Sequence, residues 1–192
     1  MIPDLHYDPD QVSTYMTDKT TVRFLMALKV QHGLVIESFE IKSAFTHEKF
    51  MSPVPVFVKQ EPFFDGSYKH DHKYGKLDLN LYGSVFAAYI YLEGRSKHFV
   101  DNGYTRSEHD ACFYYKFNDD GSYVMSAITL NDFLVVASNQ EDMEVFNKML
   151  SYKDKLKRLR KPFSFLNWTI QHFTDGSLHI SQPQPIQELL DQ

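Results

Sequence analysis

Ser126-Ala127-Ile128-Thr129-Leu130-Asn131-Asp132-Phe133-Leu134-Val135-Val136-Ala137-Ser138 is two apolar runs separated by one polar pair, Asn131-Asp132. The pattern predicts a β-hairpin. Val, Ile, Leu and Phe favour extended backbone, and Asn-Asp tolerates the positive φ angles that a two-residue loop needs. A carboxylate at such a tip stands out from a buried sheet on a rigid support, where metal-dependent chemistry would hold one. Whether Asp132 has acidic partners decides what the site can do.

The flanking sequence extends the sheet. Upstream, Cys112–Phe117, the turn Asn118-Asp119-Asp120-Gly121-Ser122 and Tyr123–Ile128 predict an antiparallel pair leading into the hairpin. Downstream, Asn139 caps a helix whose buried face is Met143, Val145, Phe146, Met149 and Leu150. Near the start, Asp18 or Thr20 caps a helix with Val22, Leu25, Met26, Leu28 and Val30 on its apolar face, and Gly33 stops it. Val35–Ile41 reads as a strand, and Lys42–Glu48 as a short helix. Glu40 therefore sits at a strand-to-helix junction, a common place for functional groups.

The remaining segments add smaller elements. Val56–Gln60 is a short strand, and Ser84 caps a helix running to about Val100 with Gly94 as a weak point. His70-Asp71-His72 lies in a polar stretch with no further ligand spacing nearby and reads as an exposed loop. Phe163–Phe173 and Leu178–Ser181 form a last hairpin, and Pro183–Leu190 starts a terminal helix. Without repeats or linkers, these elements make one α+β domain with a mainly antiparallel sheet packed against helices. It divides into an irregular lead-in over 1–18, the body over 19–182 and the start of a helix over 183–192.

Composition narrows the class. A chain of 192 residues with 43% hydrophobic residues can bury a real core. No apolar run approaches the roughly 18 residues of a membrane span, and Met1-Ile2-Pro3-Asp4-Leu5-His6 is not a signal peptide. Cys112 is the single cysteine, so the natural setting is reducing, cytoplasmic or nuclear. The net charge of −5 counts against a nucleic-acid binder that works by bulk basicity. The one dense basic run, Lys153–Lys161, reads as a solvated helix end or loop, with phosphate contact as the alternative. Trp168 and the Phe- and Tyr-rich strands read as core rather than base-stacking platforms.

Several motifs then converge. Tyr7–Asp10, Thr21–Leu28, Phe39–Phe45, Leu81-Tyr82-Gly83, Gly103–Asp110, the central hairpin, Phe165-Leu166-Asn167 and Asp175–Gln182 resemble, in order and spacing, the reverse transcriptase of copia-type LTR retrotransposons. The resemblance covers nearly the whole chain. It implies a polymerase palm, RNA/DNA primer-template as the parent family's partner, weakened or absent here, no membrane, and Mg2+ as cofactor if the domain is active and none otherwise. In that family one aspartate in an "MDVKTAFL"-like strand and two in a "YVDD" hairpin hold two magnesium ions, which activate the primer hydroxyl and stabilise the leaving pyrophosphate. Here those positions read Glu40, Asn131 and Asp132, so only Asp132 matches.

The departures have physical weight. Magnesium asks for near-octahedral oxygens at about 2.0–2.1 Å, and Glu40 carries its carboxylate one methylene further out. Catalytic constellations tolerate errors of about 0.5 Å. Asn131 brings no charge to offset two divalent ions. After "LYG" the family's polar "LKQAPRxW" is replaced by Ser84–Tyr91, and its primer-grip "FLG" becomes Phe165-Leu166-Asn167, where loss of glycine disturbs a tight turn. The segments corresponding to the basic fingers run and the thumb are not matched, so the expected fold is a palm with fingers incomplete and thumb absent. The resemblance thus implies a retrotransposon-derived domain with a degenerate site: Glu40 and Asp132 beside Asn131, with Tyr82, Gly83, Phe165, Leu166 and Asn167 toward nucleic acid. Two alternatives stay open. One is an active, divergent RNA-directed DNA polymerase using Glu40 and Asp132. The other is a non-catalytic nucleic-acid- or protein-binding module. Tyr82 stacks on a nucleotide in the first case, or packs under the following helix.

Overall fold

The structure, a computed structural model, describes residues 16–42, 44, 49, 55–59, 74–81, 84, 87–151, 156–160 and 164–182. In chain order the elements are α1 (Lys19–His32), β1 (Val35–Ile41), β2 (Phe57–Lys59), β3 (Tyr74–Lys76), α2 (Ala87–Asp101), β4 (Thr105–Arg106), β5 (Phe113–Phe117), β6 (Tyr123–Thr129), β7 (Asp132–Ala137), α3 (Gln140–Ser151), β8 (Leu156–Leu159), β9 (Ser164–Phe165), β10 (Trp168–His172) and β11 (Leu178–Ser181). They fall into two compact units, Tyr15–Lys42 with Arg95–Gln192, and Met1–Thr14 with Ser43–Gly94. In the second unit β2 and β3 pair antiparallel, and Lys49 bridges Leu79.

The first unit is built on a six-stranded sheet in the order β4-β5-β6-β7-β1-β8, every neighbouring pair antiparallel. Side chains alternate across a strand, so the register sorts the sheet into two faces. Ile36 and Ser38 lie opposite Val136 and Leu134 on one face. There Ile36, Leu134 and Val136 form a buried cluster with Val22, Leu25 and Met26 of α1 and with Phe165, Trp168 and Ile170 of the small β9-β10-β11 sheet. On the other face Phe39 and Phe133, also opposite one another, meet Phe99 of α2 and Phe146 of α3. Both faces are covered by helices, which is the α+β arrangement with a mainly antiparallel sheet.

Local chemistry fixes the helices. Asp18 caps α1 by accepting from the Thr20 N–H at 2.6 Å, and Gly33 closes it at φ 65, where a residue with a Cβ is strained. Asp110 adds a long-range tie: one carboxylate oxygen accepts from Thr17 Oγ1, the Asp18 N–H and Thr21 Oγ1 at 2.9, 2.9 and 2.6 Å. Its charge thus sits at the positive end of α1. Asn139 caps α3 by accepting from the Asp142 N–H at 2.8 Å.

Three readings of the sequence are corrected. The hairpin turn is Leu130-Asn131, not Asn131-Asp132: Thr129 pairs with Asp132, which is the first residue of β7. Leu130, with φ 50, takes the left-handed conformation that asparagine would adopt more easily. Within the basic run, Leu156–Leu159 is the strand β8 rather than a helix end or loop. Val145 and Val30 are exposed rather than on their helices' buried faces. At 100° per residue, Val145 lies far around α3 from Met143 and Phe146.

Candidate polymerase-type site

Three charged side chains stand in one row across adjacent strands. In register, Asp132 of β7 lies opposite Glu40 of β1, and Glu40 lies opposite Lys157 of β8. The Ile41 N–H donates to the Asn131 carbonyl at 2.9 Å. That makes 41/131 the hydrogen-bonded position and Glu40/Asp132 the non-hydrogen-bonded pair, whose side chains come closest. The structure therefore brings two of the three expected positions together on one face, with Asn131 in the turn beside them.

Like charges directly opposite each other repel, and the third strand answers this. Lys157 Nζ donates to Glu40 Oε2 at 3.2 Å, with both side chains partly exposed. Asp132 has its pKa raised, first by desolvation and then by the Glu40 charge, while Lys157 pulls the other way. Each member of the row thus shapes the next.

On the opposite face β8 repeats the trick with a stronger pair. The Arg158 guanidinium donates from Nε and Nη2 to the Glu37 carboxylate, and from Nη1 and Nη2 to Glu144 of α3, both at 2.8 Å. Glu37 is 1% exposed, so this is a buried carboxylate with a bidentate partner. Gln140 Nε2 adds a bond to Glu37 at 3.3 Å. Arg158 holds the Glu144 carboxyl down to about 2, and the two carboxylates raise the guanidinium pKa further. Glu37 was not singled out by the sequence reading, and Lys157 and Arg158 were noted only as members of the basic run. Lys157 and Arg158 are engaged with carboxylates rather than projecting free to phosphates.

The β9–β10 hairpin closes the other side of the site. Phe165 pairs with Trp168 around a two-residue turn, and both turn residues have positive φ, 52 at Leu166 and 63 at Asn167. Two positive φ angles are the mark of the type I′ turn that suits a twisted hairpin. Glycine is thus not required at 167, because asparagine enters the left-handed region readily. Asn167→Gly is expected to change unfolding stability by less than about 0.5 kcal/mol; urea denaturation would reveal a larger gain if the asparagine strained the turn. Phe165, Leu166, Asn167 and Trp168 line one cavity with Glu40, Asp132 and Lys157, about 440 Å³ in volume. That lies within the usual range for a ligand pocket. Trp168 itself is 3% exposed, with the Arg23 guanidinium 5.1 Å over its ring, and serves the core.

Tyr82, Gly83, the His70–His72 pair and most of the 42–48 segment lie outside the described residues. Among the described residues no three His, Cys, Asp or Glu side chains converge. Two carboxylates, one already bonded to an ammonium, do not fit a centre that must neutralise two divalent ions.

A mainly antiparallel sheet covered by helices, with Glu40 opposed to Asp132 beside a hairpin turn, is what the fold and the candidate site present. The family described as "Reverse transcriptase (RNA-dependent DNA polymerase)" matches residues 1–192, and the chain belongs to it. The chain is also 22% identical over 185 residues to the "Retrovirus-related Pol polyprotein from transposon TNT 1-94" of Nicotiana tabacum. That similarity takes in 96% of this chain and spans 14% of the length of the relative. The motif resemblance to copia-type reverse transcriptases and these matches agree. No solved structure matches. Among the described residues no helix is long and apolar enough to cross a membrane.

Proposed function

We infer that this is a retrotransposon-derived reverse-transcriptase domain whose six-stranded sheet is the polymerase palm and whose nucleotidyl-transfer activity has been lost. The observation that carries this reading is the row Asp132–Glu40–Lys157. Its carboxylates lie where the family resemblance places metal ligands. However, one of the three acidic positions is the amide Asn131, and the glutamate carboxylate is bonded to a lysine. Two-metal catalysis needs a dense negative field to hold both ions, and a net charge of one unit across the row is far too small. The cavity between this row and the Phe165-Leu166-Asn167 hairpin supports the further reading that primer-template lay along this face in the parent element.

Primer extension tests the proposal. Purified protein with an annealed RNA template and DNA primer, in Mg2+ or Mn2+, is expected to extend no more than its Asp132→Ala variant. Template-dependent extension that Asp132→Ala abolishes would establish an active, divergent polymerase instead.

A further inference from the structure

We propose that the β2–β3 ribbon is a binding platform for single-stranded nucleic acid, with Phe57 and Tyr74 as stacking surfaces and Lys59 and Lys76 as phosphate contacts. The ribbon lies in the unit that does not carry the carboxylate row, so the proposal goes beyond the loss of nucleotidyl transfer and does not depend on it.

Strand register sets the pattern. Phe57 lies opposite Lys76 and Lys59 opposite Tyr74, and residues two apart on a strand share a face. One face of the ribbon therefore carries two rings and two ammonium groups in a checkerboard, rings on one diagonal and lysines on the other. Folding does not account for the rings: Phe57 is 59% and Tyr74 61% exposed, and every residue of both strands is exposed. Diagonal neighbours stand about 7–8 Å apart, twice the roughly 3.4 Å rise of a stacked base, which leaves room for one base between the two rings. The lysines then meet the flanking phosphates, a local attraction in a chain whose net charge is −5. The Lys76–Asp78 pair, at 4.0 Å between exposed side chains, is screened by water and yields to a phosphate. On the reverse face Val58 and Gly75 bring no polar side chain, so recognition belongs to the checkerboard. A duplex hides its base faces, and a folded protein partner needs about 800 Å² on each side, more than one face of two three-residue strands presents. A single strand needs neither, because every base has a π face to stack.

Fluorescence anisotropy of a labelled oligothymidylate of about 12 nucleotides, titrated with the full chain at low salt, reads the effect directly. Phe57→Leu/Tyr74→Leu keeps apolar side chains on the ribbon but removes both rings, and is expected to weaken binding at least about tenfold. Phe57→Tyr, which keeps a ring, should bind as the wild type does. Lys59→Gln/Lys76→Gln should flatten the slope of log affinity against log salt by about 1.4, the share of two phosphate contacts on a single strand. Both double variants should melt at the wild-type temperature, since the side chains are exposed. If the leucine variant melts lower, the salt slope of the lysine variant decides alone. Absence of binding at low salt overturns the proposal, as does a leucine variant of wild-type stability that binds as tightly as the wild type. A duplex of the same length bound as tightly as the single strand overturns it too, and binding to phosphatidylserine vesicles without binding to the oligonucleotide assigns the ribbon to a membrane surface instead. Primer extension by the wild type would overturn the loss of activity and leave the ribbon untouched, so the two readings fail separately.

Discussion

Arg158→Leu is expected to lower the unfolding free energy by about 3–5 kcal/mol, the cost of leaving a buried carboxylate without its partner. Glu37 is 1% exposed and faces the same guanidinium that bonds Glu144 and lies 5.7 Å over the Phe39 ring. Truncation removes all of these at once. The double variant Glu37→Met/Arg158→Leu should recover most of the loss, because two apolar side chains need no desolvated charge to be compensated. Urea denaturation of the four proteins measures the coupling. Near additivity of the two single losses would show that the pair is not the source of the effect. The separate Arg158–Glu144 pair sets a pH dependence. Arg158 holds Glu144 at about 2 against an ordinary 4.5, so between those values the unfolded chain binds the proton that the folded one does not. The pair's contribution is fully present above about pH 4.5 and is lost as pH falls toward about 2. In Arg158→Leu that part of the acid dependence should disappear.

The same residues show how far the sequence could be read. The central strands were legible because Ile128, Phe133, Leu134, Val135 and Val136 form dense runs of β-formers, and the helix caps because Asp18 and Asn139 are the residue types that cap. The turn was misplaced by one residue because Asn131-Asp132 has the better local preference. Cross-strand register overrode it and left Leu130 with the positive φ. β8 was missed because the two apolar residues of Lys153–Lys161, Leu156 and Leu159, stand three apart among charges and show no strand alternation. Its signal lay elsewhere. Glu37 and Glu40 are three apart on one strand and so point to opposite faces, and the buried Glu37 requires a cation. The adjacent pair Lys157-Arg158 supplies one to each face. Such complementarity links positions about 120 residues apart (117 and 121 in the two pairs), and no local window contains it. The convergence of Glu40 and Asp132 was reached through the family resemblance, since nothing in either segment alone fixes their register.

Phe99→Ala should cost about as much as loss of the ion pair, roughly 3–5 kcal/mol, by removing a fully buried ring that its neighbours cannot replace. Phe99 lies 4.7 Å from Tyr114, 5.2 Å from Tyr104, 5.8 Å from Phe146 and 6.2 Å from Phe133, centroid to centroid. Those contacts add to the transfer term, since well-disposed aromatic pairs are worth about 0.5–1.5 kcal/mol beyond their area. Phe117→Ala is the matched control: its ring also meets two aromatics, Tyr115 and Tyr123, but it is 61% exposed. It should lose less than about 1 kcal/mol. The cluster also bears on the carboxylate row. Phe39 precedes Glu40 and Phe133 follows Asp132, each pointing to the face opposite its neighbour. A one-residue slip of β1 or β7 would bury a carboxylate among these rings and expose a phenylalanine in exchange. The rings on the far face therefore hold the register that keeps Glu40 and Asp132 opposed. Chemical denaturation of both variants distinguishes the cases: a loss below about 1.5 kcal/mol for Phe99→Ala would mean that the cluster closes over the gap, and that register is held by backbone pairing alone.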